Sequence, residues 1–565
     1  MPGSGESTPC SRSRHRDGGG LARIGPPLLL AAVCGVLYFW RLGVTPLDDF
    51  DEAYYAGAAR EMLQRGDLGT PYFNGRPFLL KPILTYWLIA GAFRLFGETE
   101  FAARVASAFL GTAVVLLTYW FGARTSGRRA GLLAGLALAT CYLWIDLFRE
   151  AMTDPPVTAA LSGALYLMFL AAQPEQAGRG RLYLWASALL GIALLAKGII
   201  PVAVGLLGFA VYLLGAGRLR ACVTQARAFA GIGVALAVAG PWYAYEAFHH
   251  PEFLRVFFLG EHIGHIHGTL ARGEPWWGHL KNVLVYFYPW SALLPAALVH
   301  AFRQSERGHV LRFAAWWGIV VVVAFSLARS KLAHYLAIGF PALALLVGAW
   351  LDAWLAGRSA KTRWAALGLT LIGVVGLVAA VAALVGPALL AHGKIAAAQR
   401  WPQGWSPGWP PVVILGVIAA GSLAALLGGL LGARGIVVPA LAGAVVVAGV
   451  VHAGWLEPRI AQMQAQPRKE LARLAARTLP GSEPLGVFYA KRNATVFYFG
   501  RPIVDLGEWD PAELTSFLSS PTAAAAITHV KYLPLVRDSV AGVRVVARRG
   551  DYVLVCNEGR PAAVR

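Results

Sequence analysis

Apolar stretches of roughly 17–25 residues, long enough to cross a bilayer as helices, recur along this chain from residue 26 to about residue 455. About 13 such runs can be counted, near 26–42, 102–122, 131–148, 157–172, 181–197, 199–215, 226–245, 283–301, 311–328, 334–355, 364–388, 412–432 and 435–455. They predict a polytopic α-helical membrane domain over 26–455. Polar positions gather in the loops between them, the longest being 43–100 and 246–282. Within the first, Glu52–Gln64 has helical composition and ends at Gly66. A second helical stretch follows Lys81-Pro82 and carries Trp87, Phe93 and Phe96; both stretches read as interfacial helices. No small-residue cleavage site follows the first run, which is therefore expected to remain as a helix.

Beyond residue 456 the apolar runs shorten and polar residues return. Lys469–Arg477 predicts a helix, and Leu485–Tyr489, Val496–Phe499, Val543–Arg548 and Tyr552–Cys556 predict strands. The last two strands are joined across Arg549-Gly550-Asp551, a hairpin turn. The expectation is a small α/β domain over 456–565. Residues 1–25, rich in Ser, Gly and Arg, read as a disordered tail.

Composition agrees with a membrane protein, 57% hydrophobic and 14% charged. A net charge of +20 is compatible with nucleic-acid binding, but its distribution argues against that partner. Basic residues occupy the N-terminal tail and alternate loops: Arg124/Arg128/Arg129, Arg179/Arg181, Arg218/Arg220, Arg303/Arg307/Arg312 and Arg358/Lys361/Arg363. By the positive-inside rule these segments are cytoplasmic. Loops 43–100, 149–156, 246–282, 329–333 and 389–411 and the C-terminal domain then face outward, in a bacterial inner membrane. The five cysteines offer no disulfide within that domain and no CxxC zinc spacing.

The outward face carries the chemistry. Asp48-Asp49-Phe50-Asp51-Glu52 places four carboxylates in five positions, in a chain with only 30 acidic residues among 565. Carboxylates beside a membrane helix face water or a polar cavity, because burying them in hydrocarbon costs several kcal/mol. Lys81 follows among apolar residues, Asp154 in the very short loop Arg149–Pro156, Lys197-Gly198 at the end of the fifth run, and Lys331 with Tyr335 in Arg329–Tyr335. A carboxylate can deprotonate an acceptor hydroxyl. Cations can bind a phosphate and stabilise the charge that grows on it as it leaves. A lipid phosphate suits such a site, since its tail stays in the bilayer. The plainer reading is that Lys81, Lys197 and Lys331 snorkel from helix ends.

These residues resemble the first external loop of the polyprenyl-phosphate-sugar-dependent glycosyltransferases of the GT-C type. The run is Asp51-Glu52-Ala53-Tyr54-Tyr55-Ala56, Arg60-Glu61-Met62-Leu63, Gly66-Asp67, Lys81-Pro82 and Trp87. It is most similar to the branch of the lipid A aminoarabinose transferases, with protein O-mannosyltransferases more distant. The likeness continues through Phe101–Arg104, Asp154, Ala196-Lys197-Gly198, Pro241-Trp242-Tyr243, Phe257–His262, Ser330-Lys331-Leu332, Tyr335 and Pro341. It implies an inverting transferase that moves a sugar from a polyprenyl-phosphate carrier to a lipid, glycan or protein acceptor. Asp51 matches the proposed catalytic base and Glu52 its acidic neighbour; Asp154 matches the second acidic position. Lys81 and Tyr335 match residues at the donor phosphate, with Lys331 and Lys197 as weaker candidates. His265 stands where relatives carry an arginine, with Arg272 further on, and needs protonation to pair fully with phosphate.

Three departures stand out. Tyr54 replaces an arginine usual in the lipid A branch, Leu80 replaces a glutamate before the Lys-Pro pair, and Ile83 replaces a second proline. The first two bear on acceptor and sugar specificity more than on reaction type. Glu261, His262, His265 and His267 put four ligand-type residues in seven positions, and a divalent metal is one reading of them. Their spacing matches no closed zinc signature, so donor-phosphate contact or a polar loop is the other reading. Trp276-Trp277 and Tyr286–Trp290 read as interfacial anchors. No Walker or Rossmann glycine pattern is present, and no nucleotide is expected. The rival class is a transporter or lipid-linked-sugar flippase, which predicts charges near the bilayer midplane or inverted repeats.

Overall fold

Each apolar run coincides with helix. The computed structural model describes residues 20–173, 176, 178–220, 226–263, 275–304, 308–358, 363–391, 408–479, 481, 483–520 and 524–557. Among these, seven helices are long and apolar enough to cross a membrane, and eight if the bent pair Gly278–Tyr286 and Trp290–Arg303, turned by 110° at Tyr288-Pro289, counts as one span. The count of about 13 exceeds this because it admits shorter or broken helices, such as Arg128–Ala139 with Tyr142–Leu147. The first helix begins at Gly20, inside the segment read as a tail; the rest of that segment lies outside the described residues.

Phe340–Leu355 runs through the middle of the bundle, with nearly every residue buried. It approaches Arg128–Ala139 so closely at Gly348 that a Cβ there would lie 2.4 Å from the Ala134 backbone nitrogen. Small residues at such crossings let helix backbones pack where lipid offers no hydrophobic gain. The preceding 3₁₀ turn, Ala333–Gly339, carries Tyr335 on top of this central helix.

The first loop is compact. Asp51–Arg65 is a helix with Asp51 and Glu52 in its first turn, where the macrodipole favours negative charge. It ends at Gly66 in the left-handed conformation, φ +71°. A hairpin of β1 (Tyr72–Phe73) and β2 (Arg76–Pro77) leads to Lys81 and then to the helix Leu84–Phe96. Thr99 caps the next helix, Glu100–Thr125, by accepting from the Ala102 amide at 3.1 Å.

The C-terminal region forms a five-stranded sheet in the order β4-β3-β5-β7-β6, with β3 Leu485–Val487, β4 Val504–Asp505, β5 Ala525–His529, β6 Arg544–Arg549 and β7 Tyr552–Cys556. β3 pairs in parallel with both β4 and β5, and β7 runs antiparallel to β5 and β6. Alternation splits the sheet cleanly. Leu485, Val487, Ala525, Ile527 and Leu554 join the main core, while Phe488, Ala526, Val553 and Val555 pack with Leu514, Leu518 and Val536 in a second one.

Val496–Phe499, expected as a strand, belongs to a helix, Arg492–Phe499. Its residues from Asn493 to Phe499 are all buried, so no 3.6-residue polar face marks it. This helix packs against Asp51–Arg65. The Tyr498 hydroxyl accepts from the Leu47 amide at 2.8 Å and donates to Glu100 at 3.0 Å, while Asn74 exchanges two hydrogen bonds with Ile503. The C-terminal sheet is thereby fastened to the first loop.

Candidate functional site

Four of the residues singled out from sequence meet at one cavity of about 320 Å³: Lys81, Asp154, Lys197 and Tyr335. Its other walls are apolar, including Val157, Ile200, Pro201, Val204, Phe325 and Ile338. One end is charged and the rest is hydrocarbon.

Local sequence explains each placement. Asp154 opens the helix Asp154–Ala171, with Pro155-Pro156 behind it, as suits a first helical turn. Lys197 closes the helix Arg179–Lys197, and Gly198 at φ +93° turns the chain straight into Ile199–Gly215. That backbone conformation favours glycine, which is why the lysine at this corner is followed by Gly198. The Lys197 ammonium lies 2.6 Å from both Asp154 carboxylate oxygens and 5.2 Å above the Tyr335 ring. Burial alone would raise the Asp154 carboxyl, but Lys197, then His334 and Lys81, hold it below its ordinary value.

Lys81 occupies the turn before Leu84–Phe96. Its ammonium is pushed down to about 8 by burial first and by the charge of Lys197 second, with Asp51 and Asp154 opposing. Asp51, at the first turn of its helix, accepts from the Tyr55 hydroxyl at 3.4 Å. Its charge is felt at Lys81, Tyr86, His334 and Tyr335, so it belongs to the same electrostatic neighbourhood.

Glu52 has a different situation from its neighbour. Oε1 accepts from Arg104 Nε at 2.8 Å and from the Ala151 amide at 2.8 Å; Oε2 accepts from Arg104 Nη2 at 2.7 Å and from the Asp48 amide at 2.9 Å. Arg104 also donates to the carbonyls of Leu42, Thr45 and Pro46. Burial would raise the Glu52 carboxyl, yet Arg104 and the two amides hold it low. Both oxygens are thus engaged in joining the first loop, the Glu100–Thr125 helix and the 149–156 loop, which leaves Glu52 no role as a mobile acid. Lys331 also departs from expectation. Its ammonium donates to the Ala328 carbonyl at 2.6 Å, and it is not among the residues lining the cavity.

Asp49, another of the four clustered carboxylates, anchors the C-terminal region by accepting from the Ala494 amide at 2.9 Å. Arg104 and His334 acquire roles only in three dimensions, although His334 adjoins Tyr335 in sequence. The backbone of Glu261 and His262 lies in the π-helical stretch Arg255–Ile263. Their side chains, and His265, His267 and Arg272 entirely, lie outside the described residues. Among the described residues no group of three or more His, Cys, Asp or Glu side chains is arranged to hold a metal ion.

Against known proteins, residues 80–245 match the family described as dolichyl-phosphate-mannose-protein mannosyltransferase. A curated relative, the undecaprenyl phosphate-alpha-4-amino-4-deoxy-L-arabinose arabinosyl transferase of Erwinia tasmaniensis, is 31% identical over 325 residues, covering 57% of this chain and 58% of the relative. The protein of the same name from Serratia proteamaculans is 28% identical over 398 residues, 69% of each chain. The chain therefore aligns with only about three fifths of the first relative's length. The crystal structure of ArnT from Cupriavidus metallidurans bound to undecaprenyl phosphate superposes with a TM-score of 0.77, at 24% identity, over 97% of this chain and all of that one. The resemblance read from the first loop therefore stands: in fold and sequence this multi-pass membrane protein is similar to the GT-C type glycosyltransferases that include the lipid A aminoarabinose transferases.

Proposed function

We propose that the protein transfers a sugar from a polyprenyl-phosphate carrier, of the undecaprenyl phosphate kind, to a hydroxyl of a lipid, glycan or protein acceptor. The observation that carries this reading is the single cavity joining a hydrocarbon wall to Lys81, Lys197, Asp154 and Tyr335. The polyprenyl chain occupies the apolar part. Lys81 and the Tyr335 hydroxyl hold the phosphate, with His265 a further phosphate ligand. Asp51 takes the proton of the acceptor hydroxyl as its oxygen attacks the anomeric carbon from the side opposite the phosphate. The bond from anomeric carbon to phosphate oxygen breaks, the configuration inverts, and the cations stabilise the charge left on the carrier phosphate. Asp154 fixes Lys197 and tempers the positive field, so that the product carrier can leave.

The positive-inside pattern supports an inner-membrane enzyme with a cytoplasmic N-terminus and the C-terminal domain outside. The relatives are named for undecaprenyl-linked aminoarabinose, and Tyr54 and Leu80, which stand where the resemblance expects an arginine and a glutamate, argue for a different acceptor or sugar here. Against a transporter, Asp154 and Lys197 sit at helix ends and Lys81 in a turn rather than at mid-helix. The test is to incubate purified protein with radiolabelled polyprenyl-phosphate sugars and membrane extract and to identify the labelled product. Asp51→Asn is expected to lower transfer by about 10²–10⁴-fold with folding unchanged. Undiminished transfer by that variant overturns the assignment of the base.

A further inference from the structure

The C-terminal sheet contains a feature that membrane catalysis does not explain. From β3 the chain crosses through the Arg492–Phe499 helix to β4 on one side; from β5 it leaves through Leu533–Ser539 toward β6 and β7 on the other. The adjacent parallel strands β3 and β5 are therefore the switch point of the sheet. Open α/β sheets bind ligands in the crevice outside the carboxyl ends of such a pair. Here those ends carry Tyr489, two residues past β3, and His529, Lys531 and Tyr532, at and just past the end of β5.

The four side chains form one cluster. The Tyr489 ring centre is 5.2 Å from that of Tyr532 and 6.0 Å from that of His529. The Lys531 ammonium lies 3.4 Å from the Tyr489 ring centre and 4.8 Å from that of Tyr532, and is otherwise in solvent. His529 Nδ1 accepts from the Lys531 amide at 3.1 Å, which fixes the loop. Tyr489 is over one third exposed, a non-glycine residue held at φ +50°. That left-handed conformation is strained for a non-glycine residue, and such strain gathers at functional sites. The cluster continues toward Asp51: Lys491 lies 4.6 Å above the ring of Phe50, which is 67% exposed, and Arg492 pairs with Asp505 and Tyr54.

We infer that Tyr489, His529, Lys531 and Tyr532 form a binding site for an anionic saccharide, at the carboxyl edge of the C-terminal sheet. Tyrosine rings offer flat apolar surface to the C–H face of a sugar, with a hydroxyl at the rim for its oxygens. The ammonium, with three donors and no buried partner, meets a phosphate or carboxylate on that sugar. Lys491 and Arg492 extend the positive charge toward the membrane site. On the transferase reading, which this role rests upon, the site holds the acceptor's sugar while its hydroxyl reaches Asp51. The binding itself does not depend on that reading.

The test is saturation-transfer difference NMR on the full-length protein in detergent, with lactose 1-phosphate, lactose and inorganic phosphate as separate probes. Lactose 1-phosphate is expected to give the strongest sugar-proton signals. Tyr489→Gly is the decisive variant, because glycine suits φ +50° and so removes the ring and its hydroxyl without adding backbone strain. It and Lys531→Ala are expected to weaken binding about tenfold, with Lys531→Arg retaining it and the unfolding temperature of Tyr489→Gly no lower than that of the parent. Signals unchanged in both variants, or equal for lactose and lactose 1-phosphate, overturn the proposal. So does displacement of the sugar by phosphatidylglycerol micelles, which would make this a general anion surface. Because no turnover is measured, loss of binding and failure of the transferase reading are told apart. If both hold, Tyr489→Gly raises the acceptor KM and leaves the donor KM unchanged.

Discussion

Glu52 and Arg104, 52 residues apart in sequence, form a buried two-pronged ion pair with contacts of 2.8 and 2.7 Å. Each side chain is almost wholly removed from solvent, and each also satisfies backbone groups that the first loop leaves unpaired. Removing one partner strands the other's charge, at a cost of about 3–5 kcal/mol. Glu52→Gln is therefore expected to lower the unfolding temperature sharply, as read by thermal unfolding in detergent. Asp51→Asn, one residue away, should leave it unchanged. The double variant Glu52→Gln with Arg104→Gln should regain part of the loss. Equal thermal behaviour of the two single acid variants would remove the distinction drawn between them.

That distinction was not legible from the sequence, and the reason is geometric. Asp51 and Glu52 are adjacent, but successive residues on a helix point about 100° apart, so the charge of one reaches Lys81 and Tyr335 while the other turns to Arg104. Charge clustering located the loop; only the three-dimensional position of Arg104 divided its members. The apolar runs, by contrast, coincide with each helix that is long and apolar enough to cross a membrane among the described residues, because a bilayer demands both length and hydropathy. Burial on all sides misled at Val496–Phe499, where β-branched and aromatic residues stand in a helix enclosed by its neighbours. Lys331 was misplaced because a lysine in a loop carries no sign of whether its ammonium reaches a cavity or bonds back to Ala328.

The Asp154–Lys197 pair makes a prediction opposite in sign to ordinary loss of function. With its ammonium 2.6 Å from both carboxylate oxygens, Lys197 is largely neutralised toward any phosphate in the cavity. Asp154→Asn removes that compensation while keeping the shape. Undecaprenyl phosphate should then bind more tightly, by about 1–2 kcal/mol, while turnover falls because the carrier product leaves slowly. Equilibrium binding of the carrier lipid, set beside single- and multiple-turnover rates, separates the two effects. Weaker carrier binding in this variant would sink the idea that Asp154 tempers Lys197.

Tyr498 ties the C-terminal region to the membrane part through Leu47 and Glu100, and the Lys469 ammonium pairs with the same glutamate. Tyr498→Phe keeps the ring and deletes both hydrogen bonds, leaving the Leu47 amide buried without its acceptor. The expected cost is about 1–3 kcal/mol, concentrated at this junction. Limited proteolysis should show faster cutting within residues 43–50 and before the Arg492–Phe499 helix. The apolar helices should stay protected. Uniform cleavage along the chain would mean that the junction is not a local unit.

Lys81 fixes the pH response of donor binding. Its ammonium titrates near 8 instead of near 10.5 because burial and Lys197 disfavour the charge. Affinity for a carrier phosphate should therefore be full below about pH 7 and fall as pH rises through about 8, where the ammonium is lost. Stability runs the other way. Between about 8 and 10.5 the unfolded chain holds more protons at this lysine than the folded one, so this group favours folding increasingly as pH rises. A binding loss at pH 9 without a fall in unfolding temperature is thus the signature of Lys81 and not of denaturation. Lys81→Arg, charged throughout, should flatten the binding profile above pH 8 even if its affinity at pH 7 is lower. A profile of unchanged shape in that variant would move the titration to another group, with His265 next to be substituted.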